Sequence, residues 1–201
     1  MKPRKSRVCP VERAGGLDNI LRRWLQNPWK ILNPYVSAGM TVMDIGCGPG
    51  HFTLAIAQLV GGAGRVIAVD LQEGMLDKLK RKIQGTELEK RIVLHRCDQN
   101  EIGVSEKVDF ALAFYMVHEI PDQNTFFQEL KVILQPGGRM LVVEPSFHVS
   151  TLDFEATLQK AKKAGFQIDP GPKVILSKSA LLKKNRDRGG REEADCPATA
   201  G

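Results

Sequence analysis

The chain has 201 residues, enough for one well-packed domain, and its 42% hydrophobic and 26% charged residues form an ordinary globular balance. No apolar run approaches the roughly 20 residues that span a bilayer, and the basic start "MKPRKSR" lacks the apolar core of a secretion signal, so a cytoplasmic protein with no membrane span is expected. Of the net charge of +6, four units sit in residues 1–7, leaving a nearly neutral body that disfavours nucleic acid as a partner.

In chain order, residues 1–7 read as a disordered basic tail. Residues 183–201 read as a second disordered tail, with no apolar period and no branched aliphatic or aromatic side chain. Between them, 8–182 is expected to be a single domain. Its first part, 8–38, is an N-terminal helical segment with Leu17, Ile20, Leu21, Trp24 and Leu25 at helical spacing. Asn27-Pro28 and Asn33-Pro34 interrupt that pattern, so two short helices are expected rather than one.

From Met40 onward, strand and helix patterns alternate. Strands are expected at Thr41–Ile45, Arg65–Asp70, Ile92–Arg96, Val108–Phe114, Arg139–Glu144, Gln167–Ile168 and Lys173–Ser177. Helices are expected at Phe52–Val60, Glu73–Gln84, Gln123–Leu134 and Leu152–Ala164, with Gly61-Gly62 and Pro136-Gly137-Gly138 as stops. Strands separated by helices imply crossover connections and a mainly parallel sheet covered on both faces. A closing antiparallel pair is expected around Pro170-Gly171-Pro172, because no helix fits between Gly165 and Ser177.

The stretch "MDIGCGPG" puts three glycines at the end of the first strand, where backbone must come close to something. Ligands in open α/β sheets bind beyond the carboxyl ends of the strands. Asp44, Asp70 and Asp98 fall at three successive ends, in "MDIG", "VIAVD" and "RCD". A dinucleotide fingerprint needs a third glycine where His51 stands, and a triphosphate loop needs Gly-Lys-Ser/Thr, which "GPGHFT" lacks. Carboxylates without cations repel phosphate. They suit a nucleoside carrying an amino acid or a cation, with Asp70 accepting both ribose hydroxyls and Asp98 an adenine amino group.

In order and spacing, "VMDIGCGPG", "VIAVD", "RCD", "ALAFYMVHEIPD" and "LQPGG" resemble the motifs of Rossmann-like S-adenosylmethionine-dependent methyltransferases. The likeness runs from about Met40 to Glu144 and is greatest to the small ubiquinone/menaquinone-biosynthesis type. It implies a three-layer αβα sandwich with a seven-stranded sheet ordered 3-2-1-4-5-7-6, strand seven antiparallel, under an N-terminal helical cap. It also implies the cofactor S-adenosylmethionine, with S-adenosylhomocysteine as product. By the same resemblance Gly46, Gly48 and Gly50 surround the methionine moiety and Asp70 holds the ribose. Leu71 and Met75 flank the adenine, Asp98 and Gln99 meet its edge, and Ala113 and Phe114 line the sulfonium. Asp44 orients the glycine bend through backbone hydrogen bonds.

Methyl transfer from a sulfonium is an in-line displacement, so the enzyme's main task is to hold the acceptor about 3–3.5 Å from the methyl. A base helps only where the acceptor carries a proton at attack. His118 and His148, after strands four and five, are the candidate bases; for each, a structural bond to nearby backbone is the alternative. Glu119 reads as a solvated or helix-starting carboxylate, and Tyr115 as packing against the cofactor. The four cysteines (Cys9, Cys47, Cys97 and Cys196) form no CxxC pair, so reduced thiols and no metal are expected. The segment 8–38 either folds over the cofactor as a lid, with Gly15-Gly16 permitting movement, or packs on the flank of the sheet. The expected activity is metal-independent methyl transfer to a small or medium-sized acceptor. The alternatives are a protein or nucleic-acid methyltransferase, a non-catalytic S-adenosylmethionine-binding module, and an NAD-dependent oxidoreductase. Neither the acceptor nor the oligomeric state is legible.

Overall fold

The computed structural model describes residues 26–185. The expectations for the first N-terminal helix, Cys9, Gly15-Gly16, Trp24, the basic tail and residues 186–201 lie outside the described residues. The first described helix is Pro28–Leu32 (α1), started by Asn27, whose side chain accepts from the amides of Trp29 and Lys30. Proline at the first helical position loses nothing there, because its missing amide would have been unpaired.

The strands are Thr41–Ile45 (β1), Arg65–Asp70 (β2), Ile92–Arg96 (β3), Val108–Phe114 (β4), Leu134–Pro145 (β5), Phe166–Pro170 (β6) and Ser177–Lys184 (β7). The remaining helices are His51–Leu59 (α2), Glu73–Ile83 (α3), Gln123–Ile133 (α4) and Thr151–Lys163 (α5). One sheet of seven strands runs β3-β2-β1-β4-β5-β7-β6. β1 pairs in parallel with β2 and β4, β2 with β3, and β4 with β5. β7 runs antiparallel to both β5 and β6. This is the Rossmann-like topology expected above, strand order included.

Side chains alternate across the sheet and so build two cores. Met43, Ile45, Ile67 and Val69 face the side packed by Phe126, Phe127 and Leu130 of α4 and Phe154 and Ala161 of α5. Val42, Val66 and Ala68 face the other side, packed by Leu32 of α1, Phe52 and Ile56 of α2 and Leu76 and Leu79 of α3. The central strands are buried on both faces, which explains why they read as unbroken apolar runs.

The last part of the chain corrects the sequence. A strand was expected at Lys173–Ser177, yet Ile175 and Leu176 are 55% and 68% exposed, and Leu176 turns the chain at φ +54°. The buried run is Ala180–Leu182 inside β7. β7 also takes in Lys183 and Lys184, which pair with Arg139 and Phe166, so the tail drawn from 183 loses its first two residues to the sheet. β5 begins earlier than Arg139 because the "LQPGG" stretch bulges from the strand: pairing passes from Val108–Leu134 to Phe110–Arg139, with Gly137 at φ +78°.

Candidate functional site

The chain leaves β1 through the glycine bend, which β2 anchors: the amides of Gly46 and Cys47 donate to the Val69 carbonyl at 2.8 and 3.0 Å. Gly48 sits at φ +53°, and a Cβ built there would meet nothing within 4 Å. Gly50 starts α2 at φ +89°, and a Cβ there would lie 2.4 Å from Leu79 Cδ1. The two glycines therefore serve different ends. Gly48 leaves open space, and Gly50 lets α3 pack closely.

Asp70 ends β2 with 7% exposure. One carboxylate oxygen accepts from the Gly48 amide at 2.8 Å and the other from the Gln72 amide at 2.9 Å. Burial pushes its pKa up against the pull of those amides. Asp44 is 2% exposed and accepts from Thr53 Oγ1 at 2.6 Å. Burial pushes Asp44 up to about 7, the Thr53 hydrogen bond opposes this, and the charge of Asp70 adds to it. Burial, with Asp44 and Asp70 nearby, also drives the Cys47 thiol far up, and burial beside Asp70 lifts Cys97 to about 11. Neither cysteine is a ready nucleophile.

A cavity of about 440 Å³ opens between the bend and the carboxyl ends of β2, β3 and β4. Gly46, Gly48, Asp70, Leu71, Met75, Asp98, Gln99, Phe114 and Tyr115 are on its wall. So are Glu101, Glu119, Asp122 and Glu129. Among the described residues, six carboxylates thus line the cavity, and no Lys, Arg or His does. The Glu129 carboxylate is committed to the amides of Ile102 and Gly103, at 2.8 and 2.7 Å.

On the cavity wall, Tyr115 follows β4 at φ +62°, a conformation rare for a bulky residue. Its hydroxyl accepts from Gln26 Nε2 at 2.6 Å and shares a 2.5 Å hydrogen bond with Ser177 Oγ. Rings run in contact from Phe52 through Phe114 and Tyr115 to Phe147, which is 79% exposed. Next along the chain, His118 lies on a 3-10 turn, Val117–Glu119. Glu144, 2% exposed near the end of β5, faces it: the His118 amide donates to Oε1 at 3.2 Å, and Nδ1 lies 2.5 Å from Oε2. The His148 ring meets the His118 ring edge-on at 4.9 Å.

Of the residues singled out from sequence, Gly46, Gly48, Asp70, Leu71, Met75, Asp98, Gln99 and Phe114 share the cavity wall. Three do not. Ala113 is fully buried in the sheet, Gly50 faces Leu79, and Asp44 points toward α2 and bonds Thr53 instead of steadying the glycine bend. Alternation along β1 is the reason: Asp44 shares the face of Val42, under α2, while the ligand side lies past the strand tip. His118 and His148 come together beside the cavity but are not on its wall. Glu144 and the Tyr115–Ser177 pair were missed. Glu144 carried the same signal as Asp70, an acid closing an apolar strand in "LVVEP".

The family profile described as a methyltransferase domain matches residues 36–187. The demethylmenaquinone methyltransferase of Lactobacillus johnsonii is 30% identical over 134 residues, which cover 65% of this chain and 55% of that protein. Its counterpart in Oceanobacillus iheyensis is 27% identical over 125 residues, covering 62% and 52%. The chain spans about half the length of these relatives. Among solved structures, a SAM-dependent methyltransferase from Aquifex aeolicus superposes with a TM-score of 0.76 at 24% identity, over 88% of this chain and 98% of that one. The [4+2]-cyclase SpnF superposes with a TM-score of 0.65 at 15% identity, over 85% and 84%. The fold alone therefore does not determine the chemistry.

Proposed function

The chain belongs to the methyltransferase domain family, and we propose that it transfers a methyl group from S-adenosylmethionine to a small-molecule acceptor of the quinone type. The observation that carries the cofactor assignment is the cavity itself: among the described residues, six carboxylates and no basic side chain line it, and at Gly48 there is open space where a Cβ would stand. Such a wall fits a cationic nucleoside without phosphates and rejects nucleotides that need cations. The quinone-type acceptor is inferred from the relatives, both demethylmenaquinone methyltransferases.

In this reading Asp70 keeps lone pairs for the ribose hydroxyls while its amide bonds hold it still. Leu71 and Met75 flank the adenine, Asp98 and Gln99 meet its edge, and Gly46, Gly48 and Phe114 surround the methionine end. When bound, the cofactor supplies an electrophilic methyl on a sulfonium. The residues of this chain bind, orient and shield; the aromatic run ending at Phe147 gives a planar acceptor a surface beside the cavity. His118 and His148 are the acid–base candidates on the same side.

The test is transfer from methyl-tritiated S-adenosylmethionine into a size-fractionated cell extract. Label in the low-mass organic fraction is the expected result. Label in protein or nucleic acid would replace the acceptor class, and cofactor binding with no transfer to any fraction would leave a non-catalytic binding module.

A further inference from the structure

Glu144 stands out among the buried groups that cofactor binding leaves unexplained. A carboxylate 2% exposed is costly unless it is fully partnered, and an apolar residue there would be the more stable choice. Both of its oxygens are spent on a single residue, His118: one on the amide and one on ring Nδ1. The amide bond fixes the turn, and the ring bond sets which nitrogen faces outward. A carboxylate only accepts, so Nδ1 carries the proton and Nε2 is left with its lone pair. The His118 side chain is 20% exposed, and its turn is flanked by Met116 and Glu119 of the cavity wall. A group that serves the second substrate belongs at this rim, outside the space the cofactor fills.

We propose that Glu144 is a positioning residue that aligns and strengthens His118 as the general base for the methyl acceptor, which is therefore a molecule bearing an ionisable proton. The inference rests on methyl transfer being the reaction. His118 Nε2 takes a proton from an acceptor O–H, N–H or activated C–H. The acceptor's electron pair forms the new bond to the methyl carbon, and the pair of the broken C–S bond returns to sulfur, leaving a neutral thioether. The imidazolium that results is held against the carboxylate of Glu144, and the exposed His148, edge-on to the ring, receives the proton on its way to water. Burial alone would lower the pKa of His118, but the hydrogen bond and charge of Glu144, with Glu119 on the same turn, carry it upward. Among the described residues, Glu119, Glu144 and His148 are the titratable groups facing the ring, from its own turn, from β5 and from the loop that follows.

Two readouts test it. In the resting protein, imidazole nitrogen NMR should find the His118 proton on Nδ1, with a titration midpoint that falls in Glu144→Gln. In turnover, methyl transfer to 1,4-naphthohydroquinone should decline as pH drops through that midpoint. Glu144→Gln should move the decline to lower pH and reduce the plateau at least tenfold, with calorimetric S-adenosylmethionine affinity unchanged. Should Glu144→Gln not fold, His118→Ala should lose transfer and regain it with added imidazole. Superimposable pH–rate profiles for wild type and Glu144→Gln, or a proton on Nε2, would overturn the proposal, as would equal methylation of the proton-free acceptor dimethyl sulfide. Absence of S-adenosylmethionine binding to the wild type would instead sink the methyl-transfer reading beneath it.

Discussion

The Asp70 carboxylate receives the Gly48 amide at 2.8 Å, so the acid ending β2 holds the glycine bend that leaves β1. One residue thus shapes the bend and faces the cavity. Asp70→Ala is expected to weaken S-adenosylmethionine binding by about 1.5–3 kcal/mol through lost charge-assisted bonds to the ribose. Isothermal calorimetry checks this, and affinity equal to wild type would remove Asp70 from the site.

Gly48→Val should be the more damaging change. At φ +53° a β-branched residue is strained, and its side chain would enter the open space beside the cavity. The same calorimetry is expected to find no measurable binding, while far-ultraviolet dichroism stays native. Unchanged binding would mean that the ligand lies elsewhere.

The pH dependence of stability should carry the signature of Asp44. Its carboxyl holds its proton more tightly folded than unfolded, with a pKa of about 7 against 3.8. A raised pKa means stabilisation that is complete below about pH 4 and is lost as pH rises through about 7. Three units correspond to roughly 4 kcal/mol. Asp44→Asn keeps an oxygen for Thr53 but cannot ionise. Urea unfolding of both proteins from pH 4 to 8 should therefore show the variant gaining on wild type as pH rises; parallel curves would contradict the burial of an ionising carboxyl.

The Tyr115 hydroxyl ties the strained residue after β4 to Ser177 at the start of β7. Tyr115→Phe and Ser177→Ala should each destabilise by about 0.5–1.5 kcal/mol. Their double variant should cost less than the sum, because the bond is lost only once. Additive effects would mean that the two hydroxyls act separately.

β1 to β4 were legible to the residue because each holds a branched or apolar run, which Gly46 closes after β1 and Asp70 ends in β2. β7 was not. Its buried core, Ala180–Leu182, is short and lies between lysines, whereas the "VIL" before it, with Ile175 and Leu176 exposed, looks more like a strand than the strand does. At the site, the cavity half built on local motifs could be read from sequence: the bend, Asp70, Asp98. The half assembled by packing could not, since nothing in one dimension brings Glu129 of α4 to the cavity wall or Ser177 of β7 to the Tyr115 hydroxyl. Glu144 falls between these cases: its strand-end position was visible, but its partner across the sheet edge was not.

The central claim is that the acidic cavity beside Gly48 and Asp70 holds the adenosyl group. Diffraction from crystals of the protein soaked with S-adenosylhomocysteine tests it most directly. The account predicts density with the ribose at the Asp70 carboxylate and the adenine between Leu71 and Met75. Density at another place, or none at a concentration that saturates binding in solution, would contradict it.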